Sequence, residues 1–327
     1  MSAFPPQMEM DPAAPANVIA AGGAVRQKRS PAGRVMRALP FVWLGVILVL
    51  ALFGSVISGH SPNTPSADIL LAPGRSHLMG TDELGRDIFT RVAVGAGTSV
   101  KVAGLAVLIG LLAGGFLGVA AASSHRIVDG GIMRSMDVLL AFPAIVLALM
   151  VSLLLGQALV FVSILIGVVI SPHIARLVRN RLASELRLGY VTAERSTGAS
   201  LTRIQLVHVS RNVVAPIGAY CLLLFADSML FEAALSYVGV GIQPPTASWG
   251  NILEDAANFY SVAWWYVVFP AAALLITTLA FNLLGDGIRD AMDPRTERVL
   301  AGARRRRRRK KTALVDIVPG VTAPGGS

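Results

Sequence analysis

The stretch VLLAFPAIVLALMVSLLLGQALVFVSILIGVVISPHIA, residues 138–175, decides the fold, because none of its 38 residues is Asp, Glu, Lys or Arg. A single helix of this length would extend about 57 Å, nearly twice the hydrocarbon core of a bilayer, which is about 30 Å thick. The stretch must therefore fold back on itself. Gly156-Gln157 is the natural turn, and it divides the stretch into two predicted membrane spans, 138–155 and 158–175.

The rest of the chain adds four more apolar runs, so we predict an all-α polytopic membrane protein with six transmembrane helices. A mean hydropathy of +0.63 and a charged fraction of 15% agree with this class. The single cysteine excludes a disulfide framework and a multi-cysteine metal site within the chain. The four further spans are predicted at 39–58, at 102–124, from near Val213, and within 256–285.

The basic residues predict the orientation, because Lys and Arg in short loops are retained on the cytoplasmic side. With both termini inside, 25 of the 29 Lys and Arg residues lie in cytoplasmic segments. We therefore expect an uncleaved first span and a transmembrane domain at 38–295. The tails at 1–37 and 296–327 are predicted to be disordered. The basic run Arg304–Lys311 is interpreted as a topology signal near anionic lipid rather than a nucleic-acid site.

The cytoplasmic loop at 181–212 contains YVTAERSTGASLTRIQLVHVSRN, residues 190–212. Gly198 can end one short helix in the left-handed conformation, and Ser200 can cap the next. The loop is then a compact pair of helices. The alternative is an ordinary amphipathic loop on the membrane surface.

Two polar segments are predicted on the outer side. In HLMGTDELGRD, residues 77–87, we expect a short helix capped by Thr81 or Asp82, with i,i+4 pairs Asp82–Arg86 and Asp87–Arg91. This segment either caps and orients the second span or contacts a docked protein. The segment 237–255 is broken at Gln243-Pro244-Pro245 and is predicted to be an outer gate, a docking surface or a rigid turn. The side chains proposed for docking or gating are Asp82, Glu83, Arg86, Asp87, Trp249 and Asn251, with Trp249 at the membrane interface.

Asp227 and Glu232 are acids within or near the fifth span, where an unpaired charge costs at least about 2.5 kcal/mol and a functional role is the default hypothesis. Five residues apart on a helix, they point about 140° away from each other. Each is predicted either to face a translocation pathway or to form a hydrogen bond between packed helices.

The cytoplasmic loop resembles the coupling loop of ABC importer permeases, whose signature is Glu-Ala-Ala, three residues, Gly, nine residues, then Ile-x-Leu-Pro. Thr192, Ala193 and Glu194 fall on the first three positions and Gly198 on the glycine. Arg211 stands in place of the final proline. Three further stretches resemble markers of the C-type permease of the dipeptide, oligopeptide and nickel branch: HLMGTDELGRDIFTRV (77–92), ALSYVGVGIQPPTASWGNIL (234–253) and FNLLGDGIRDAMDPR (281–295).

The resemblance implies a type I ABC importer permease fold in the bacterial cytoplasmic membrane. It implies partnership with a second homologous permease, two ATPase subunits and an extracytoplasmic binding protein, and import of di- or oligopeptides. The coupling residues would be Thr192, Ala193, Glu194, Gly198, Ala199 and Ser200.

No cofactor is expected in this chain, and ATP and Mg²⁺ would be bound by the ATPase subunits, because the sequence has no G-x-x-x-x-G-K-[ST] phosphate loop. No metal site and no enzymatic activity are expected. The alternatives are another solute of the same family, such as nickel, or an autonomous secondary transporter that uses Asp227 and Glu232.

Overall fold

The structure is a computed structural model that describes residues 31–292. Of the predicted tails at 1–37 and 296–327, residues 31–37 form the start of α1, and the rest, with the Arg304–Lys311 run, lie outside the described residues. The chain divides into two units, Met1–Ala38 and Leu39–Ser327. In the first unit the structure describes only residues 31–38, which are helical. The helix contacts and the polar sites belong to the second unit, Leu39–Ser327.

The described chain is helical, and its only β-type pairing is an isolated antiparallel bridge between Thr81 and Asp87. A π-helical turn, Ile204–Val209, leads directly into the helix that follows it. The α-helices are α1 (Pro31–Ser58), α2 (Ile88–Ser123), α3 (Arg126–Ala141), α4 (Ala144–Leu155), α5 (Leu159–Glu185), α6 (Gly189–Ser196), α7 (Leu201–Arg203), α8 (Ser210–Tyr237), α9 (Trp249–Ala256) and α10 (Trp264–Met292).

The membrane spans can be recognised from helix length and apolar composition. Within residues 31–292, α2, α5, α8 and α10 are each long and apolar enough to cross a bilayer. The α3–α4 pair passes the same test only when taken together, and it is bent by 85°. α1 contributes a shorter apolar stretch, Ala38–Gly54. The six predicted spans thus correspond to four long helices, one bent pair and one shorter apolar helix.

The predicted turn at Gly156-Gln157 is confirmed, but the predicted third span is wrong in where it starts. α4 ends at Leu155, and Gly156 adopts a left-handed φ of +88°. Residues 138–141 belong to α3, because Phe142 is extended and Pro143 precedes α4. A proline disfavours helical geometry in the residue before it, which ends α3 there. Because residues 138–175 contain no charged residue, the charge pattern gives no indication of this break.

The second span packs closely against a neighbouring helix, as the four-residue spacing of its glycines indicates. α2 packs along α5, and its glycines at 110, 114 and 118 face the α5 backbone. A Cβ at Gly118 would lie 2.6 Å from the carbonyl oxygen of Ala175. α2 itself begins at Ile88 rather than near Val102, because a helix longer than the hydrocarbon core carries its charged outer turns, with Arg91 and Lys101, beyond the core.

Buried apolar residues form three clusters that position the polar regions. One joins α2 to α9 and α10 through residues such as Ile88, Trp249 and Tyr266. A second fills the space between α2, α5 and α8. The third lies beneath the loop at 181–212 and contains Leu182, Val191, Ile204, Val209 and Val213. The loop therefore has a small core of its own.

Candidate functional site

The loop at 181–212 forms the predicted pair of short helices. α6 carries Thr192, Ala193 and Glu194, and Gly198 follows it with φ +86°. The side chain of Ser200 accepts a hydrogen bond from the Arg203 backbone N–H and caps α7. No atom lies within 4 Å of the position of a Cβ at Gly198. The left-handed backbone, and not a close contact, is thus what favours glycine here.

The signature residues of the loop lie on its exposed surface. Thr192, Ala193, Gly198 and Ser200 are exposed, whereas Val191 is buried in the cluster beneath. A cleft of about 400 Å³ lies beside them, and it is lined by Glu194, Thr197, Gly198, Ala199 and Arg203. The buried side anchors the loop, and the exposed side remains available to a partner.

Hydrogen bonds connect the loop to the adjoining ends of α2 and α5, and the end of α5 to the start of α8. Tyr190 Oη donates to Glu185 at the end of α5 (3.0 Å), and burial, followed by this bond, raises the pKa of the tyrosine. Asn212 of α8 donates to the same carboxylate at 3.2 Å. Gln205, in the π-helical turn, donates to Ser123 at the end of α2 at 2.8 Å. A displacement of the loop would therefore be transmitted to α2, α5 and α8.

The outer segment 77–87 forms a tight turn rather than the predicted short helix. The bridge between Thr81 and Asp87 closes the turn, and Gly80 and Gly85 take left-handed φ angles of +79° and +73°. Asp87 caps α2, since its carboxylate accepts hydrogen bonds from the Thr90 backbone N–H (2.8 Å) and hydroxyl (2.6 Å). The prediction that Thr81 or Asp82 caps a helix here was wrong, because the glycines turn the chain before a helical turn can form.

One of the two predicted ion pairs forms. Arg86 Nε lies 2.6 Å from Asp82 Oδ2, as predicted. The predicted Asp87–Arg91 pair is wrong, because Asp87 is engaged as the cap of α2 and contacts His77 Nδ1 at 3.0 Å. Arg91 instead lies 3.5 Å from Asp82 and 3.4 Å from Asp255, which is in α9.

These charges form a cluster that we call the outer ion network, which consists of Asp82, Glu83, Arg86, Arg91, Asp255 and Tyr266. The network joins the turn at 81–87 to α2, α9 and α10. Tyr266 of α10 donates its hydroxyl hydrogen to Glu83. Burial raises the pKa of Asp82 above its ordinary value. Burial and the carboxylate of Glu83 raise the pKa of Asp255 to about 6, even though Arg91 and Arg86 are close to it.

Sequence reasoning missed Asp255 and Tyr266. They lie 164 and 183 residues from the partners they bind, so no local spacing connects them. The sequence offered one indication of these contacts, which is the position of both residues relative to the last span. Asp255 precedes the last span and Tyr266 lies in its first turn, on the predicted outer side that residues 77–87 share, where acids and arginines must find partners.

The second outer segment is held by a buried carboxylate. Glu232 is 0% exposed and accepts hydrogen bonds from Ser99 of α2 (2.9 Å) and Ser236 of α8 (2.8 Å). The backbone N–H of Trp249, at the start of α9, donates to the same Ser99 hydroxyl at 3.4 Å. Glu232 therefore forms the predicted hydrogen bond between packed helices. In this structure the Glu232 side chain does not reach the surface of the chain.

Trp249 and Asn251 are buried, so the prediction of an interfacial tryptophan was wrong. The Trp249 indole N–H donates to the carbonyl of Val92 at 2.9 Å. Asn251 completes a capping box with Ser248 and donates to the carbonyl of Thr246 at 2.7 Å. Asp82, Arg86 and Asp87 are buried as well. Of the side chains predicted to dock a protein, Glu83 keeps partial exposure, and the others shape the outer surface from beneath it.

Asp227 differs from Glu232. Its side chain is exposed on α8, ten residues before the end of that helix, and within residues 31–292 it has no ion-pair partner. Among the same residues, no group of three or more His, Cys, Asp or Glu side chains could hold a metal ion.

Residues 106–298 match the family model described as "Binding-protein-dependent transport system inner membrane component". The chain is 39% identical over 257 residues to the di/tripeptide transport system permease protein DppC of Pseudomonas aeruginosa (strain UCBPP-PA14), covering 76% of this chain and 85% of the relative. It is 38% identical over 264 residues to the dipeptide transport system permease protein DppC of Escherichia coli (strain K12), covering 79% and 88%. A putative peptide transport system permease protein of Brucella suis biovar 1 (strain 1330) is 39% identical over 269 residues, covering 81% and 90%.

Solved structures agree on the fold. A structure entitled inward facing conformations of the MetNI methionine ABC transporter superposes with a TM-score of 0.53 at 16% identity, covering 62% of this chain and 97% of that one. A second crystal form of the same transporter gives a TM-score of 0.50 at 17% identity, covering 62% of this chain and 96% of that one.

Proposed function

The chain belongs to the family of binding-protein-dependent transport system inner membrane components, the permease subunits of ABC importers, and we propose that the solutes it helps to import are short peptides. The observation that carries this proposal is the similarity to three peptide permeases along 76% to 81% of the chain. A transport subunit of this family is not an enzyme.

The proposed partners are a second homologous permease, two ATPase subunits and an extracytoplasmic binding protein. ATP and Mg²⁺ would be bound by the ATPase subunits. The proposed orientation has both termini in the cytoplasm, supported by the 25 of 29 basic residues that this arrangement places inside.

The proposed coupling element is the α6–Gly198–α7 pair. Its exposed residues Thr192, Ala193, Gly198 and Ser200 lie beside a cleft of about 400 Å³, which offers a partner both a projection and a recess. Tyr190 of this element donates a hydrogen bond to Glu185 of α5, and the π-helical turn that follows the element is bonded through Gln205 to Ser123 of α2. Closure of the ATPase subunits would move this element and rotate the long helices between inward-open and outward-open arrangements.

The outer ion network and Glu232 are proposed to hold the outer surface in one shape, and Asp227 is proposed to face the pathway. An unpaired carboxylate facing lipid would cost at least about 2.5 kcal/mol, whereas a water-filled passage keeps it hydrated. There it would attract the ammonium group of a peptide. Asp227→Asn should lower uptake without lowering thermal stability. Asp290→Asn, an exposed acid at the inner end of α10, is the matched control.

The solute can be tested with the transporter reconstituted in vesicles with its partner subunits and binding protein. We expect ATP-dependent uptake of a labelled dipeptide that stops when this chain is omitted. Uptake of nickel ions, and not of peptides, by the same vesicles would replace the peptide assignment with the alternative solute of the family.

A further inference from the structure

We propose that α3 lies in the plane of the cytoplasmic membrane surface and binds the phosphates of anionic lipids through Arg126 and Arg134. This inference rests on the orientation proposed above, which places the start of α3 at the inner end of α2. It assigns a lipid-binding surface to a segment that the sequence alone had divided between a loop and a span.

The ion pairs between α3 and α5 indicate a steep crossing. Arg179 Nε donates to Asp129 at 2.8 Å, and Arg176 pairs with Asp137. The two acids are eight residues apart on α3, about 12 Å, whereas the two arginines are three residues apart on α5, about 4.5 Å. Two helices that ran side by side would match these intervals. The difference between the spacing of the acids along α3 and that of the arginines along α5 fits an α3 that crosses α5.

The bend after α3 supports the same orientation. α4 contains no charged residue, and its Ala148 is buried in the apolar cluster where α4 contacts α5 and α8. α4 therefore follows the bundle. Because α3 makes an angle of 85° with α4, α3 runs across the bundle rather than along it. The break at Phe142-Pro143 is then the boundary between the membrane surface and its interior.

The exposed face of α3 has the composition of an interfacial helix. Ile127 is 81% exposed and Val138 is 54% exposed, and both lie on one face with Arg134, at intervals of seven and four residues. Met136, on the opposite face, is buried. Apolar side chains beside arginines with long apolar stems suit the boundary between headgroups and acyl chains.

The charges on α3 favour an anionic partner. Asp129 and Asp137 are both neutralised by arginines of α5. Arg126 and Arg134 are exposed, and neither has an acidic partner among residues 31–292. The free charge of this surface is thus positive, and a guanidinium group binds phosphate oxygens in a bidentate manner. An anionic leaflet supplies both the phosphates and the apolar layer that the exposed face requires.

The orientation can be tested with spin labels in the full-length chain in nanodiscs. Labels at Ile127→Cys and Val138→Cys, in a Cys221→Ser background, should lie at the same depth near the boundary between headgroups and acyl chains. A spanning α3 would separate them by up to about 16 Å, and that result would overturn the proposal.

The lipid assignment can be tested by native mass spectrometry of chains taken from nanodiscs of phosphatidylcholine and phosphatidylglycerol. Arg126→Gln and Arg134→Gln should each lower the retention of phosphatidylglycerol over phosphatidylcholine about five-fold. Arg181→Gln, an exposed arginine near the inner end of α5, should leave it unchanged. Equal retention in all variants would refute lipid binding by these arginines.

A protein partner would give a different result. If both labels became inaccessible to lipid-soluble quenchers only in the assembled transporter, a subunit and not the membrane would cover α3, and the proposal would be wrong. These readouts are independent of solute. A failure of peptide uptake would therefore contradict the proposed function without changing the depths or the lipid retention.

Discussion

Gly198 supplies the left-handed backbone conformation that the proposed coupling loop requires between its two short helices. Its φ of +86° joins α6 to α7 in space that is otherwise open. Proline fixes φ near −65° and removes the backbone N–H that binds the carbonyl of Arg195. We expect Gly198→Pro to leave membrane insertion intact while uptake falls at least about ten-fold, with ATP hydrolysis no longer linked to it.

Gly198→Asn is the matched variant, because asparagine tolerates the left-handed conformation. It should retain most of the uptake. Normal uptake by Gly198→Pro, measured in the reconstituted transporter, would contradict the assignment of this loop to coupling.

Asp255 makes the outer ion network sensitive to pH. Its pKa is raised to about 6 in the folded chain, first by burial and then by Glu83, against an ordinary value of 3.8. The folded state therefore binds the proton more tightly than the unfolded state, and ionised Asp255 lowers stability. This penalty is complete above the folded-state pKa and is lost as the pH falls through about 6 towards 4.

Asp255→Asn should remove this component of the pH dependence, which is at most about 3 kcal/mol. Thermal unfolding in nanodiscs between pH 5 and 8 measures it as the difference between the wild type and the variant. A difference that does not change with pH would mean that Asp255 keeps its ordinary pKa. Glu254→Gln controls for the neighbouring acid, whose pKa burial also raises.

Among the elements, the contact between α2 and α5 depends on glycines of α2 whose backbone packs directly against the backbone of α5. A Cβ at Gly114 would overlap the carbonyl oxygen of Ser171 and lie 3.1 Å from the backbone nitrogen of Ala175. Backbone atoms within a helix cannot move aside as easily as the end of a flexible side chain can. We expect Gly114→Ala to destabilise the chain by about 1–3 kcal/mol, measured by thermal unfolding.

Gly115 provides the control on the same helix. A Cβ there would lie 3.9 Å from the end of the flexible Leu111 side chain, an ordinary contact. Gly115→Ala should therefore be neutral or slightly stabilising, since alanine favours the helix. If both variants lost stability equally, helix flexibility and not close packing would explain the glycines.

At the scale of the whole molecule, the chain has the features of a transport subunit that is driven by ATPase subunits. Its sequence lacks a phosphate loop, and the proposed coupling loop is hydrogen-bonded to the ends of α2 and α5. We expect the purified chain alone, in vesicles with a membrane potential and a proton gradient, to accumulate no solute. Addition of the partner subunits, binding protein and ATP should start uptake. Accumulation by the chain alone would favour the secondary transporter.

The sequence by itself determined the class of fold and the candidate coupling loop. Long uncharged runs can be stable only in lipid, and the turn at Gly156-Gln157 follows from length alone. The Gly198–Ser200 junction follows from local backbone chemistry, and the glycines of α2 from their spacing. These features depend on residues that are neighbours in the chain or on one helix.

Only the tertiary structure decided which polar groups meet. Arg91 binds Asp255 rather than Asp87, and Glu232 is enclosed by serines of three segments. The buried charged groups Arg91 and Glu232 take partners that the helix packing brings within reach. The Arg91–Asp255 and Ser99–Glu232 contacts link residues more than 100 positions apart, and hydropathy carries no information about them. The break at Phe142-Pro143 was visible in the sequence as a proline, but its angle was set by the packing of α3 and α4 against α5.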